Sequence, residues 1–403
     1  MREESPREDQ VERPLPAQAE VVIVGAGFAG LATAYELAAR GIEAVVLEAE
    51  AIPGFHASGR NAAIARRLIE EPAVASLAVR GLERLRSLPS EVPLFKQTGG
   101  LLLGDEVLIA RLHEVARATP ALADEVRRMS PDEARALVPA LVGADFDAAL
   151  FLAGDGVVDI HALLSVLAAP ARARTFYKTR VEAIRVEAGR VTAVETDRGT
   201  IACRVVVDAA GFQANRVAAL AGLGPLPFLP VRRHLFVTAP TDRVAVGAPW
   251  VWEGTSRPGI GGWYFRPEGA GLLLCACDQT AWGEHDPIDP PVDPSAKESL
   301  ADKFFRALPE LRDVRPGRGW AGLRILTPDD RFVIGPDPRV DGFVWVAGLG
   351  GHGMTTSCGV GELGAMAAMG EPLPAPYRTA FDPGRFLAVT TSSRGVLPSG
   401  LPS

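Results

Sequence analysis

Val21-Val22-Ile23-Val24 runs straight into Gly25-Ala26-Gly27-Phe28-Ala29-Gly30, and Glu48 closes the next apolar run. This pattern predicts a buried parallel strand over 21–24 and a helix over 31–40. Gly25 permits the tight turn, Gly27 lets the backbone approach a phosphate, and Gly30 lets helix and strand pack closely. The helix N-terminus then offers free N–H groups and a positive dipole end to a pyrophosphate. Glu48 lies 18 positions after Gly30, close to the roughly 20 expected for the acid that binds a ribose 2′-OH. A carboxylate there repels a 2′-phosphate, so the expected ligand is FAD or NAD rather than NADP.

The chain has 403 residues, enough for two or three domain-sized units. Hydrophobic residues make up 47 %, so a large buried core is expected. The net charge of −7 and the lack of a dense Lys/Arg block argue against nucleic acid or an anionic membrane as main partner. Residues 1–19 are charged and contain proline, unlike a secretory signal, and no apolar run reaches the length of a membrane span. Four scattered cysteines (Cys203, Cys275, Cys277, Cys358) give neither a disulfide framework nor a metal site and read as buried thiols. These features together suggest a cytoplasmic location.

Strands of the same character return later. RVVVD (204–208) ends at Ala209-Ala210-Gly211, and FVWVA (343–347) ends in the glycine-rich Gly348-Leu349-Gly350-Gly351-His352-Gly353, before a helix over about 357–369. Such segments belong side by side in one parallel sheet with their C-terminal ends at the cofactor. Leu101–Leu103 and Arg233–Thr238 read as further strands, 108–139 as helical, and 240–300 as an antiparallel sheet with turns. The expectation is an α/β protein with a Rossmann-like domain discontinuous over 19–90, 156–222 and 325–384. A substrate domain over 91–155 and 223–324 is inserted into it, with loose tails at 1–18 and 385–403.

The polar loop Pro53-Gly54-Phe55-His56-Ala57-Ser58-Gly59-Arg60-Asn61 precedes what reads as an apolar helix. Ser58 is expected to cap that helix, and Arg60 to face phosphate. The glycines at 348–353 allow backbone N–H groups to approach a planar ring such as a flavin, whose N1/C2=O edge gains negative charge on reduction. Arg324 in WAGLR and Arg233 in VRRHLF stand among apolar neighbours. A guanidinium so placed needs a partner, and a carboxylate, from a substrate or from the protein, is the natural one. Arg232 points to the opposite side of that strand, and Tyr264 is placed either to add a hydroxyl or to fill the core.

The ordered set GAGFAG with Glu48, HASGRNAA, VVDAAGFQAN, VRRHLF, WAGLR and GFVWVAGLGGHGMTTS resembles the FAD-dependent D-amino-acid oxidase superfamily, and within it the bacterial D-arginine and D-amino-acid dehydrogenases. The likeness covers roughly 18–385. It implies noncovalent FAD in a two-domain fold of the glutathione-reductase type, with cofactor contacts at Gly25, Gly27, Gly30, Glu48, Ser58, Arg60, Asn61, Val181, Ala210, Gly211, Gly348, Gly350, Gly351, Gly353 and Met354. By resemblance, Arg324 grips the substrate carboxylate with help from Arg233 and Tyr264. His56 stands beside the reacting amine, the Gly351 carbonyl accepts from it, and Glu91 pairs with a cationic side chain. His352, counted with the substrate contacts, and Thr355 depart from the Tyr and Gln of the D-arginine enzymes.

The reaction implied is oxidative deamination of a D-amino acid with a basic or hydrophobic side chain. Hydride passes from Cα to flavin N5, and electrons leave to a quinone, a dye or O₂. The second reading is a glycine- or sarcosine-type amine oxidase. An RNA-modifying flavoprotein would need a basic groove, which the negative charge disfavours.

Overall fold

The apolar runs that open the chain become β1 (Val21–Val24) and β2 (Ala44–Leu47), buried at every residue, with α1 (Phe28–Ala39) between them. Burial on both faces and a helical crossover favour a parallel pair, and Val21 aligns with Ala44 through to Val24 with Leu47. The computed structural model describes residues 13–257 and 262–387. After β2 come α2 (Pro72–Arg86), β3 (Gly100–Gly104), β4 (Ala148–Leu152), β5 (Ala173–Phe176), β6 (Val205–Asp208) and β7 (Leu229–Thr238). Then follow β8 (Trp250–Glu253), β9 (Trp263–Glu268), β10 (Gly271–Cys275), α3 (Pro294–Ala307), β11 (Pro316–Leu326), β12 (Val333–Pro336), β13 (Phe343–Ala347) and α4 (Ser357–Ala368).

β13, β6, β1, β2 and β5 form a parallel ladder in that order, and β12 adds antiparallel beyond β13. Three separated stretches of chain therefore share one sheet, and α1 packs on α4 over one face of it. The second sheet runs β7, β10, β9, β8, β3, β4, with Thr280–Ala281 and Val126–Met129 at its ends and β11 along β7. Alternation along its strands decides what each face does. Trp263, Phe265, Leu272 and Leu274 point to one side and pack on Leu300 and Phe304 of α3. Arg233, Leu235, Trp252 and Tyr264 point to the other side and line the cleft between the sheets.

Two expectations give way. Residues 108–139 are not continuously helical: Val126–Met129 is a strand on β4 between the helices Glu106–Ala118 and Pro131–Leu137. Asp105 and Ser130 cap those two helices, so local capping chemistry breaks the periodic stretch into pieces. The segment directly after the HASGRN loop is not helical either: Ile64–Ala65 is a short strand paired with Gly156 and Val157, and α2 begins only at Pro72. The expected tails lie partly outside the described residues, at 1–12 and 388–403. Within them, Gln18 bridges to Ala202, and Arg385 pairs with Asp329 at 2.8 Å.

Candidate active site

The C-terminal ends of β1, β2, β6 and β13 open onto a cleft of about 900 Å³ that reaches the inner face of the second sheet. At one end, Glu48 Oε2 accepts from Ala26 N at 2.7 Å and Oε1 accepts from Glu50 N at 2.9 Å, so the acid braces the glycine turn. Gly25 sits at φ +105°, where a Cβ would meet Ala209 O at 2.6 Å. Gly30 does not line the cleft; its Cβ would lie 1.9 Å from Gly25 O, so its role is close helix packing. Ser58 caps α1 rather than the expected downstream helix, with Phe28 N donating to its Oγ at 3.0 Å across 30 residues. Gly27, Asn61, Val181, Ala210, Gly211, Gly348, Gly350, Gly353 and Met354 line the same cleft. An elongated cradle with a glycine turn, a helix N-terminus and a braced carboxylate fits an adenine dinucleotide.

At the other end the cleft is cationic. In the β7–β11 ladder Val231 aligns with Arg324 and Arg233 with Gly322, which brings Arg233 and Arg324 onto one face as diagonal neighbours. Arg233 is held by backbone, donating from Nε to Asp278 O (2.9 Å) and from Nη2 to Cys277 O (3.2 Å). Arg232 turns away to Asp293 at 2.8 Å. Arg324 lies against Gly351, where a Cβ would come within 2.7 Å of its Nη1. Among the described residues none gives it a hydrogen bond or an ion pair. Burial, and then Arg233 beside it, lower its pKa. Tyr264 Oη is buried with no partner, and burial pushes its phenol well above the ordinary value. A half-buried guanidinium without a protein partner and a buried, unpartnered hydroxyl thus face one cavity.

Several expected residues fall elsewhere. Glu91 is exposed in the loop before β3 and does not line the cleft, so nothing connects it to a substrate side chain. His56 lines the cleft, but its Nε2 pairs with Glu50 Oε1 at 3.0 Å, in the turn after Glu48. Its partners belong to the dinucleotide end and not to the Arg324 clamp. Arg60 does not stand free for phosphate: it forms an ion pair with Asp289 and lies 5.3 Å from the centre of the Phe55 ring. Each of these three sits in an irregular loop, where neither strand nor helix periodicity assigns a side chain to a face.

Among the lining residues that escaped the sequence reading are Ile64, Arg66 and Trp252. Arg66 carries the signal that singled out Arg324, a guanidinium within an apolar stretch, and the same reasoning would have found it. His352 also faces the cleft, and its imidazole is pushed down to about 3 by burial and by Arg66, with Glu70 opposing. A histidine with a folded-state pKa below its unfolded value binds fewer protons folded than unfolded between those two values. Its stabilisation is therefore lost as pH falls through that window. A His352→Asn variant, uncharged throughout, is expected to lose about 2 kcal/mol less stability than wild type between about pH 7 and about pH 5. Urea denaturation at the two pH values measures this, and equal losses would show that His352 titrates normally.

The family described as DAO, FAD dependent oxidoreductase, matches residues 20–367. A glycine oxidase of Pseudomonas aeruginosa is 31 % identical, covering 89 % of this chain and 98 % of that protein. The mitochondrial dimethylglycine dehydrogenase of Mus musculus is 28 % identical over 93 % of this chain but only 45 % of its own length. The chain thus spans about half of that relative. Among solved structures, an L-proline dehydrogenase from P. horikoshii superposes with a TM-score of 0.81 at 26 % identity, covering 93 % of this chain and 99 % of that one. These proteins are named for glycine, dimethylglycine and proline, and the narrower likeness to D-arginine dehydrogenases finds no support in them.

Proposed function

The chain belongs to the DAO family of FAD-dependent oxidoreductases, and from that premise we propose that it oxidises the C–N bond of a small α-amino acid whose carboxylate rests on Arg324. The observation that carries this is the half-buried Arg324 guanidinium, which lines the cleft without a protein partner, beside a buried Tyr264 hydroxyl also without one. A substrate carboxylate would satisfy both, through a two-point pairing with Arg324 and a hydrogen bond donated by Tyr264. Arg233, tied to the Cys277 and Asp278 carbonyls, adds positive potential without having to move.

Bound FAD supplies the hydride acceptor. The protein's part is to orient Cα and to handle the amine proton. Gly351 and His352 lie next to Arg324, where the amine of a carboxylate-anchored substrate would sit. A neutral imidazole there accepts a hydrogen bond from the amine, and because burial and Arg66 keep it from charging, the amine proton leaves to solvent rather than to His352. The relatives' names support glycine, N-substituted glycines and related small amino acids as the class, and D-amino acids with uncharged side chains stay within it. The preference for basic side chains does not, since Glu91 is at the surface. The four cysteines are free and buried and do not line the cleft, which supports noncovalent FAD.

The test is anaerobic mixing of the purified flavoprotein with glycine, sarcosine, N,N-dimethylglycine, proline and D- and L-amino acid panels, following loss of flavin absorbance. Bleaching by at least one small α-amino acid is expected. Bleaching by none of them would remove the proposal. Readmitting air then separates an oxidase, which forms peroxide, from a dehydrogenase that needs a quinone or dye.

A further inference from the structure

One cation in the chamber is not needed to grip an α-carboxylate. Arg66 follows the Ile64–Ala65 strand, lines the cleft, and lies across Trp252 with its Cζ 4.3 Å from the ring centre. Its Nε donates to Leu68 O at 2.7 Å and its Nη2 to Glu70 Oε2 at 3.2 Å. Among the described residues Nη1 has no acceptor. Glu70 is not a lining residue, so the guanidinium rather than its carboxylate partner faces the chamber.

The fold places these cations in one chamber. Trp252, on which Arg66 lies, stands directly opposite Tyr264 in the β8–β9 ladder, so Arg66 reaches the sheet face that carries the Arg324–Arg233 clamp. Thr355, three residues after His352, donates to Ile64 O at 3.2 Å and ties the glycine-rich turn to the strand that leads into Arg66. The acids that do line the cleft are Glu48, Glu50 and Glu182, all toward the dinucleotide end. No carboxylate of the described residues faces the chamber to receive a cationic side chain.

We propose that Arg66 receives a second carboxylate of the substrate, making the chamber selective for α-amino acids with two acid groups, one on the Arg324 clamp and one on Arg66. The amine then lies between them, over His352. The assignment rests on the amino-acid reading given under Proposed function and names its substrate class. A neutral side chain at this place leaves Nη1 desolvated without an acceptor, whereas a carboxylate gives it a charge-assisted bond. Stacking on Trp252 holds the guanidinium plane in position for that contact.

The test compares isosteric pairs with the holoenzyme: aspartate against asparagine and glutamate against glutamine in both configurations, and iminodiacetate against its monoamide. The acidic member of at least one pair is expected to bleach the flavin with kcat/KM at least about 30-fold above its neutral partner. In an Arg66→Met/Glu70→Gln double variant, which leaves no orphaned buried carboxylate, that ratio is expected to fall to within about threefold of one. Equal or faster reaction of the neutral members in wild type would overturn the assignment, as would a preference that survives in the double variant. A binding measurement separates this from the reaction itself: succinate is expected to perturb the flavin spectrum at concentrations at least about tenfold below propionate. If succinate binds tighter but no amino acid bleaches the flavin, the oxidation reading falls and the second anion site stands. If small monocarboxylic amino acids bleach it and neither comparison favours the diacid, the reaction stands and Arg66 is excluded.

Discussion

An Arg324→Ala enzyme is expected to lose about a thousandfold in kcat/KM toward its amino acid while keeping its full complement of FAD. Removing one partner of a desolvated, two-point ion pair costs about 4 kcal/mol, and each 1.4 kcal/mol is about tenfold. The loss should fall mostly on KM, since the carboxylate is gripped before and during reaction alike. FAD retention follows from the separation of roles: the dinucleotide end of the cleft is built from β1, α1, β2 and the Ser58 loop, whereas Arg324 lies against Gly351 at the other end. Stability provides an independent check. Without ligand, the half-buried Arg324 has no protein acceptor for its charge and lies beside the like charge of Arg233, so alanine should leave Tm unchanged or raise it. A structural arginine would show the reverse: a lowered Tm with kinetics near wild type would strike Arg324 from the site.

The parts of this architecture that could be read from sequence are those where one local rule decides the outcome. Val21–Val24, Val205–Asp208 and Phe343–Ala347 are short apolar runs ending in glycine, and a strand buried on both faces leaves no other pattern. Arg324 and Arg233 were legible because a charge on an apolar strand must find a partner, and alternation separates Arg233 from Arg232. The polar loop around residues 53–61 was read less well. Its glycines and polar side chains say that it is irregular, but not where each group ends up. Ser58 reaches back to α1 and Arg60 across to Asp289, which are contacts made by tertiary folding rather than by spacing. Glu91 failed for a related reason: a short stretch of likeness carried a role whose support, a chamber wall at that place, this fold does not have. His352 shows the converse limit. Its position beside the clamp follows from the glycine-rich turn, but its neutrality depends on burial and then on Arg66, Arg324 and Arg233 arriving from distant parts of the chain.

A Gly25→Ala substitution is expected to yield a destabilised protein that is isolated largely without FAD. Two separable costs meet at this position. The backbone lies at φ +105°, a region that L-residues enter at a cost of about 1–2 kcal/mol. The added Cβ would also sit 2.6 Å from Ala209 O and 3.0 Å from its carbonyl carbon, and overpacking of this kind costs about 1–3 kcal/mol more. Neither side can give way easily. Gly25 N is bonded to Leu47 O at 2.8 Å and Ala209 N to Val24 O at 3.0 Å, so both strand ends are pinned in the parallel ladder. Any relief must come from shifting the turn itself, which moves Ala26 N off Glu48 and spoils the pyrophosphate cradle. Gly41→Ala supplies the control: it has a comparable positive φ of +82° but nothing within 4 Å of its Cβ. That variant should lose about 1 kcal/mol and remain yellow, whereas Gly25→Ala should lose about 3–5 kcal/mol by denaturant titration and most of its flavin. Equal stability and equal flavin content in the two proteins would mean that the turn at Gly25 does not shape the dinucleotide site.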